Sequence, residues 1–176
     1  MICIRDDDIF FNAIWRHKVF MDYHIVVDIG IITSRPFPAK WIKKNLKMYE
    51  VCNHSHSHDA HSIINWPSKK QKEDFEKANS IIFKKIGVKP KYFIPPHGFL
   101  NDSLIESCES IGLALHPSYV TMRKNKENYY TAQKVDIIGR KEGWYVCHTF
   151  KHQPKQSRLK RNMKYLYENR LTRFWD

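Results

Sequence analysis

Three adjacent carboxylates near the start of the chain are the first residues whose types suggest chemistry. Asp6, Asp7 and Asp8 directly follow a short apolar stretch that contains Ile2 and Ile4. Adjacent acids repel one another, and a pocket that held them without a cation would raise their pKa values. A bound metal ion would relieve that repulsion, whereas a plain loop or a helix start uses such residues as a cap. The triplet alone leaves both interpretations open.

A histidine-rich segment, residues 53–61 (NHSHSHDAH), supplies the second set of chemical groups. If this segment forms a helical turn, His54 and His58 share a face because they are four residues apart, and His56 points elsewhere. Two imidazoles and one carboxylate suit Zn²⁺ or another borderline divalent ion, such as Co²⁺, Ni²⁺ or Mn²⁺, and leave a position open for water. A histidine tract also occurs as a polar loop. Together with the carboxylates, it favours a mononuclear metal site.

A Pro–Pro turn, within residues 92–98 (YFIPPHG), is the third candidate segment. The apolar residues predict a strand, and the prolines, which end with Pro96, stiffen the connection that follows it. We expect the backbone amides of His97 and Gly98 to be free and able to face a developing oxyanion. Taken alone, the segment is more typical of a stiff strand-to-helix connection.

The fourth candidate segment, residues 144–148, is an aromatic and apolar run that ends in a histidine. A histidine at a strand end is often a satisfied structural residue. Beside a metal site, however, His148 is a candidate proton donor, with His152 as a reserve.

Apolar strand-like runs alternate with helix-like segments along the chain, which favours an α/β fold with a mostly parallel sheet in a single domain, residues 1–176. Right-handed crossovers would place the candidate residues on one rim, at the carboxyl ends of the strands. The predicted strands are residues 2–5, 25–32, 49–52, 92–94, 113–115, 144–148 and 172–175. The predicted helices are residues 68–86 with Ser68 as N-cap and Gly87 as the stop, 101–112 with Asn101 as N-cap, and 157–169.

The charge balance of the chain points to anionic partners. Its 176 residues carry a formal net charge of +12, which attracts nucleic acids, anionic glycans or acidic membranes. Residues 151–173 are rich in Lys and Arg, and aromatic residues lie in or beside them. That pattern leaves nucleic-acid binding as a weaker alternative, although a plain basic surface explains the spread of charge as well. The aromatic residues concerned are Tyr165, Tyr167, Phe174 and Trp175.

The apolar runs are too short for a transmembrane helix, which needs about 20 apolar residues, so no membrane span is expected. Only four residues precede the charged run that begins at Arg5, which leaves no room for a signal peptide, and we therefore expect a cytoplasmic location. The four cysteines show no metal-binding spacing and are interpreted as buried thiols of a reducing compartment.

The order of these motifs resembles the polysaccharide deacetylase family, the NodB-homology domain of carbohydrate esterase family 4, across nearly the whole chain. The most specific match is the family's His-(Ser/Thr)-x-(Ser/Thr)-His motif, which residues 54–58 reproduce without a gap after Asn53. The paired aspartates lie within residues 4–9, and residues 93–98 are similar to the family's Phe-Arg-Pro-Pro-Tyr-Gly turn. His148 supplies the histidine that ends an apolar strand. The resemblance implies a distorted (β/α) barrel with a mostly parallel sheet.

The resemblance also implies a metal centre and a general base. In the family, the first aspartate of the pair is the base, and the second binds the metal together with the two histidines. We prefer Asp7 as base and Asp8 as ligand, and the other register gives Asp6 and Asp7. His54 and His58 are the remaining implied ligands, with Zn²⁺ the first choice of metal.

The remaining implied roles concern the substrate. His148 is the implied general acid, and the turn at Pro96 and His97 faces the oxyanion and substrate. The resemblance implies hydrolysis of an N-acetyl or O-acetyl group on a carbohydrate by a metal-activated water, and an acetylated carbohydrate is the expected partner.

Two departures from the family pattern bear on activity. The arginine that orients the catalytic aspartate in the family is Ile94 here, and the aromatic residue of the same turn is His97. An aliphatic side chain cannot hold a carboxylate. Arg5 is a hypothetical substitute, and Asp136 is a hypothetical support for the catalytic histidine. A degenerate relative that binds metal or glycan without turnover is therefore the alternative to an active deacetylase.

Overall fold

The computed structural model describes residues 2–7, 9–119, 129–131, 142–148 and 155–173; within these ranges, the side chains of residues 129–131 and 148 are left aside. The strands form one seven-stranded sheet in the order β5-β4-β3-β2-β1-β7-β6, and every neighbouring pair is parallel. The predicted α/β architecture with a mostly parallel sheet is confirmed. The strands are β1 (Ile2–Asp7), β2 (Val27–Ile31), β3 (Tyr49–Asn53), β4 (Tyr92–Phe93), β5 (Ala114–Leu115), β6 (Tyr129–Thr131) and β7 (Gly143–His148).

Helices connect the strands and cover the sheet. The helices are α1 (Ile14–Asp22), α2 (Ala39–Lys44), α3 (Ala60–Ile63), α4 (Ser68–Ile86), α5 (Asp102–Glu109) and α6 (Gln156–Glu168), with short 3₁₀ turns at Phe11–Ala13, Leu46–Met48 and Pro96–Gly98. Of these, α4, α5 and α6 correspond to the three predicted helices. No helix in the described part of the chain is long and apolar enough to cross a membrane.

The predicted N-cap of α4 is wrong, although its stop is confirmed. Ser68 is the first helical residue, and Pro67 precedes it without a side-chain cap. Proline suits the start of a helix because its φ is fixed near the helical value. The Ser68 hydroxyl bonds instead to the hydroxyl of Ser107 on α5, at 2.8 Å. Gly87 ends the helix in the left-handed conformation, with φ at 92°.

The other two predicted helices agree with the structure. The Asn101 side chain accepts a 2.9 Å hydrogen bond from the Leu104 amide and caps α5 as expected. Helix α6 lies within a residue of its predicted bounds, and its apolar stripe of Leu159, Met163 and Leu166 is fully buried.

Several elements differ from prediction. Strand β1 continues two residues further than expected, through Asp6 and Asp7, because both carboxylates have buried cationic partners. The short strand β6 and the helices α1 and α2 were not predicted. Of the strand predicted at residues 172–175, the first two residues are not in a strand, and the others lie outside the described residues.

The apolar core lies where the central strands meet the helices that pack on them. All five residues of β2 are buried, as expected for the central strand of a parallel sheet that is covered on both faces. The main cluster joins apolar residues of β1 and β2 to the inner faces of α1, α4 and α6. Of the cysteines, which are all free, Cys52, Cys108 and Cys147 are buried as predicted, whereas Cys3 is partly exposed.

Asp6 is fully buried on the face of the sheet that α1 covers. Arg16 on α1 binds its carboxylate through both oxygens, at 2.7 and 3.0 Å, and the Nε2 atom of His17 lies 3.1 Å from it. Burial alone raises the pKa of Asp6, but Arg16 and His17 outweigh burial and lower that pKa below its usual value. The ion pair therefore stabilises the fold at neutral pH, and this contribution is lost as the pH falls through the lowered pKa.

We predict that Arg16→Met lowers the free energy of unfolding by about 3–5 kcal/mol, because it leaves the buried Asp6 carboxylate without its main partner. Urea denaturation measures this change. Lys164→Met is the matched control, since it breaks the exposed Lys164–Glu168 pair on α6 and is expected to cost less than about 1 kcal/mol. Equal losses in the two variants would contradict the assignment of Arg16 as the partner of a buried charge.

Candidate active site

The end of β1 brings one carboxylate to the opposite face of the sheet from Asp6. Side chains alternate along a strand, so Arg5 and Asp7 share a face and Asp6 lies on the other. Asp7 is 2% exposed, and Nη2 of Arg5 donates a 2.8 Å hydrogen bond to its Oδ2 atom. The structure thus separates the acidic residues that are adjacent in sequence. Asp8, the predicted metal ligand, lies outside the described residues.

The two histidines of the predicted metal site converge, although not in the way expected. Residues 54–58 do not form a helical turn, because Ser55 and His58 adopt left-handed conformations with φ of 66° and 57°. The loop nevertheless folds back so that Nε2 of His54 lies 3.2 Å from Nε2 of His58. His56 points elsewhere, as predicted, with Nδ1 at 2.9 Å from the Thr33 hydroxyl.

Buried polar side chains hold this loop in place. Asn53, at the end of β3, accepts a 2.8 Å hydrogen bond from the Ser55 amide. Asp74 on α4 accepts bonds from the amides of His56 and Ser57, at 2.8 and 3.0 Å. Because these contacts fix the backbone on both sides of Ser55, the histidines are positioned before any ligand binds.

The orientation of His54 leaves one ring nitrogen able to bind a metal. Its Nδ1 atom lies 2.6 Å from the Ile94 carbonyl oxygen, which can only accept, so Nδ1 carries the proton and Nε2 keeps its lone pair. Two imidazole nitrogens on a tetrahedral Zn²⁺ lie about 3.3 Å apart, given Zn–N bonds of about 2.0–2.1 Å. The 3.2 Å separation of the two Nε2 atoms fits that spacing.

A third ligand is not found among the described residues. Within that part of the chain, no group of three His, Cys, Asp or Glu side chains is arranged to hold a metal ion. The pair His54 and His58 fits a divalent ion by donor type and spacing, and the predicted third ligand, Asp8, lies outside the described residues.

Gly30 on β2 allows the histidine loop to approach the end of β1. It follows Ile29, the register partner of Asp6, and so lies beside Asp7. A Cβ atom at Gly30 would lie 3.3 Å from both Cβ and Cγ of His54. The His54 ring thus lies over the strand position next to Asp7.

The Pro–Pro turn lies beside the same histidines. Pro96 is buried, and the His97 and Gly98 backbones are left-handed, with φ of 53° and 76°. The expectation that the Gly98 amide is free is wrong, because it donates a 3.1 Å turn hydrogen bond to the Pro95 carbonyl. The backbone amide of His97 remains the candidate donor. The centroid of the His97 ring lies 5.1 Å from that of the His58 ring.

Comparison with known proteins bears on this arrangement. Residues 39–116 match the model of a family described as polysaccharide deacetylase. The resemblance to this family is confirmed. The matched residues include the histidine motif and the Pro–Pro turn. A comparison with curated proteins finds no match.

Solved structures of family 4 carbohydrate esterases share the fold. A Streptomyces lividans family 4 esterase in complex with acetate has a TM-score of 0.70 at 14% identity, over 97% of this chain and 90% of that chain. A Clostridium thermocellum family 4 acetyl xylan esterase with a cobalt ion has a TM-score of 0.69 at 17% identity, over 96% and 82%. A family 4 pseudoenzyme from Bacillus anthracis has a TM-score of 0.65 at 14% identity, over 98% and 62%. The predicted NodB-homology-like (β/α) barrel is confirmed.

The predicted apolar strand that ends in a histidine is β7. His148 is its last residue and lies opposite Asp7 in the register between β1 and β7. Its backbone thus lies at the same edge of the sheet as the proposed base. His152 and Asp136, the reserve acid and the suggested support, lie outside the described residues.

Ile94 stands where the similar turn of the family has an arginine, and it contributes to the site through its backbone. The side chain is fully buried and packs with Cys52 and Tyr119. The carbonyl orients His54, as described above. The guanidinium that contacts the Asp7 carboxylate comes instead from Arg5, in agreement with the hypothesis drawn from the sequence.

Sequence reasoning missed a second group of buried polar residues behind Arg5. Asp28 lies in the middle of β2, and His116 and Ser118 follow β5; all three are buried. One signal was present in the sequence, because an aspartate within the apolar run at residues 25–32 needs a buried partner. The partners, about ninety residues later, had no pattern that would connect them to it.

We predict that Gly30→Ala lowers the free energy of unfolding by about 1–3 kcal/mol, because the new methyl group would press on His54, whose ring is fixed by the Ile94 carbonyl. Urea denaturation measures the loss, and the imidazole NMR signals of His54 are expected to shift. Unchanged stability together with unchanged His54 signals would contradict the close approach of the loop to β2.

Proposed function

We propose that this protein is a metal-dependent hydrolase that removes an N-acetyl or O-acetyl group from a carbohydrate. The observation that carries the proposal is the placement of His54, which is paired with His58, over the strand position next to the buried Asp7 carboxylate. The match to the polysaccharide deacetylase family supports the same reaction class.

The proposed metal ligands are His54, His58 and Asp8, with Zn²⁺ the first choice and Co²⁺, Ni²⁺ or Mn²⁺ able to occupy the same donor set. When bound, such an ion polarises an acyl carbonyl and lowers the pKa of a water molecule. The backbone contacts of the histidine loop support this assignment, since they orient both imidazoles in advance.

Asp7 is the proposed general base, which takes a proton from the attacking water. The choice of Asp7 and Asp8 over Asp6 and Asp7 is supported by the environment of Asp6, whose carboxylate is already bound by Arg16 on the other face of the sheet. A carboxylate enclosed there has no route to a water molecule at the strand ends.

The amide of His97 is the proposed hydrogen-bond donor to the oxyanion, and Pro96 shapes the turn that presents it. The left-handed backbone of His97 supports this role, because it turns the chain sharply beside the His58 ring. His148 is the proposed general acid, which protonates the leaving amine or alcohol. Its register position opposite Asp7 is consistent with that role.

An acetylated carbohydrate is the proposed substrate. Phe99 is 39% exposed, and its ring centroid lies 6.4 Å from that of His97 and 5.0 Å from that of His61. An exposed aromatic ring next to a polar site offers an apolar surface of the kind found in ligand pockets. The apolar face of a sugar ring could pack there.

A relative without turnover is the second candidate. Ile94 in place of the family's arginine favours it, and the shared fold includes a family 4 pseudoenzyme. This candidate keeps the metal site and the glycan surface but performs no hydrolysis.

We predict that the purified protein releases acetate from an acetylated chitooligosaccharide when Zn²⁺ or Co²⁺ is added. Asp7→Asn is expected to lower kcat by at least about 100-fold, since it removes the base while keeping the shape of the side chain. Acetate assays measure the rate, and the metal content of both proteins is measured in parallel. Failure of the wild type on a broad panel of N-acetylated and O-acetylated sugars, at full metal occupancy, would support the relative without turnover.

We predict that His54→Ala and His58→Ala each weaken Zn²⁺ binding at least about 100-fold, because each removes a direct ligand and even outer-shell changes cost about 10–100-fold. Isothermal titration calorimetry measures the affinity. His56→Ala is the matched control from the same loop and is expected to keep the affinity, since its ring bonds to Thr33. Equal weakening in all three variants would argue against the assigned ligands.

A further inference from the structure

Arg5 lies in a row of buried charged residues that crosses the sheet. In the register between β1 and β2 it faces Asp28, and both side chains are buried, with exposures of 1% and 3%. Residues directly opposite one another in a sheet share a face. Arg5, Asp7 and Asp28 therefore lie on the same face.

His116 connects Asp28 to Ser118 with a single consistent set of proton positions. Nε2 of His116 lies 3.2 Å from Oδ2 of Asp28, and a carboxylate only accepts, so Nε2 carries the proton. Burial foremost, and Arg5 in addition, lower the pKa of His116 despite Asp28, so the ring is neutral at pH 7 and Nδ1 has a lone pair. That lone pair accepts from the Ser118 hydroxyl, at 2.8 Å.

The direction of these bonds leaves the Ser118 oxygen available to Arg5. Because the Ser118 hydroxyl donates its proton to His116, its oxygen accepts from Nη1 of Arg5. The other arm of the same guanidinium, Nη2, donates to Asp7 at 2.8 Å. The Tyr119 ring lies against the guanidinium, with its centroid 4.7 Å from Cζ. A planar group held through both arms and against a ring has a fixed orientation.

Asp28, at the other end of this series of hydrogen bonds, has a second partner. Arg173 donates to Oδ1 of Asp28, the oxygen that His116 does not use. The row thus contains the buried guanidinium of Arg5, the partly exposed guanidinium of Arg173, two carboxylates and one neutral imidazole, and its formal charges cancel. Such cancellation lets a parallel sheet bury charged residues without an isolated charge.

We propose that the hydrogen-bonded chain Asp28–His116–Ser118 fixes the guanidinium of Arg5, and that Arg5 is thereby the positioning residue for the Asp7 carboxylate. This inference rests on the proposed function, in which Asp7 is the general base. Its residues come from β1, β2 and the segment after β5, so the position of the base depends on contacts outside the family motifs. In this arrangement Arg5 can orient the Asp7 carboxylate although Ile94 stands in place of an arginine.

Ser118→Thr and Ser118→Val test the proposal, because the two side chains have nearly the same size and only threonine keeps the hydroxyl. We expect Ser118→Thr to keep kcat within about threefold of the wild type. In Ser118→Val, kcat is expected to fall about 10-fold to 100-fold with little change in KM or Zn²⁺ affinity, because small misplacements of a catalytic group cost up to about that much. His116→Leu, one bond further away, is expected to follow Ser118→Val.

Ser107→Ala is the control for the loss of a buried serine hydroxyl, since Ser107 is also fully buried and bonds to Gln71 at 2.7 Å between α4 and α5. It is expected to lower the thermal midpoint as the Ser118 variants do but to leave kcat unchanged. A fall in kcat in the control, or equal kcat in Ser118→Val and Ser118→Thr, would overturn the proposal. If His116→Leu keeps the wild-type kcat, the proposed contribution of His116 and Asp28 to the orientation of Arg5 is overturned.

The orientation of Arg5 also gives a readout that needs no turnover. We expect separate, slowly exchanging Nη NMR signals for Arg5 in the wild type and in Ser118→Thr, and averaged signals in Ser118→Val. Averaged signals in the wild type would overturn the fixed guanidinium. A wild type that shows the separate signals but releases no acetate from any sugar would contradict the proposed function, and with it the role of Asp7 as base, while leaving the fixed geometry of Arg5 in place.

Discussion

Consecutive charged residues at the buried end of a central strand impose the main constraint on this structure. Because side chains alternate along β1, Asp6 lies on the face opposite Arg5 and Asp7, and Arg5 cannot neutralise both carboxylates. Asp6 needs a cation from the helix layer, which Arg16 supplies, and Asp7 needs one on the other face, which Arg5 supplies. The choice of partners divides the charged residues into a structural pair and a pair at the candidate active site.

The alternation of apolar runs and amphipathic segments was enough to predict the parallel sheet and the helices α4, α5 and α6. It failed for α1, because the buried face of that helix includes Arg16 and His17, which a hydrophobic pattern counts as exposed. It also ended β1 too early, since Asp6 and Asp7 were read as residues beyond the strand. Both errors have the same physical origin: the charges are buried because they are paired, and the pairing joins residues that the local pattern cannot connect.

The candidate site shows a similar division. The spacing of His54 and His58 predicted their convergence, but the reason was different, since left-handed residues at Ser55 and His58 bring the rings together without a helix. Those conformations depend on amide contacts to Asn53 and Asp74, and Asp74 lies on a helix outside the motif. A local motif can specify ligand types. The loop shape that aims the ligands is set by tertiary contacts.

The substitution at position 94 separates two roles that a single residue can combine. The Ile94 carbonyl orients His54, and any residue at this position supplies a carbonyl, so that contact survives the loss of a charged side chain. The partner of the Asp7 carboxylate has to be a cation, and here it comes from two residues earlier on the same strand. Because Arg5 lies on the same strand as Asp7, the distance between the two backbones is fixed. The long side chain of Arg5 still has to be oriented. In the proposed arrangement the buried residues Asp28, His116 and Ser118 meet that need, at a cost in desolvation that their mutual hydrogen bonds offset.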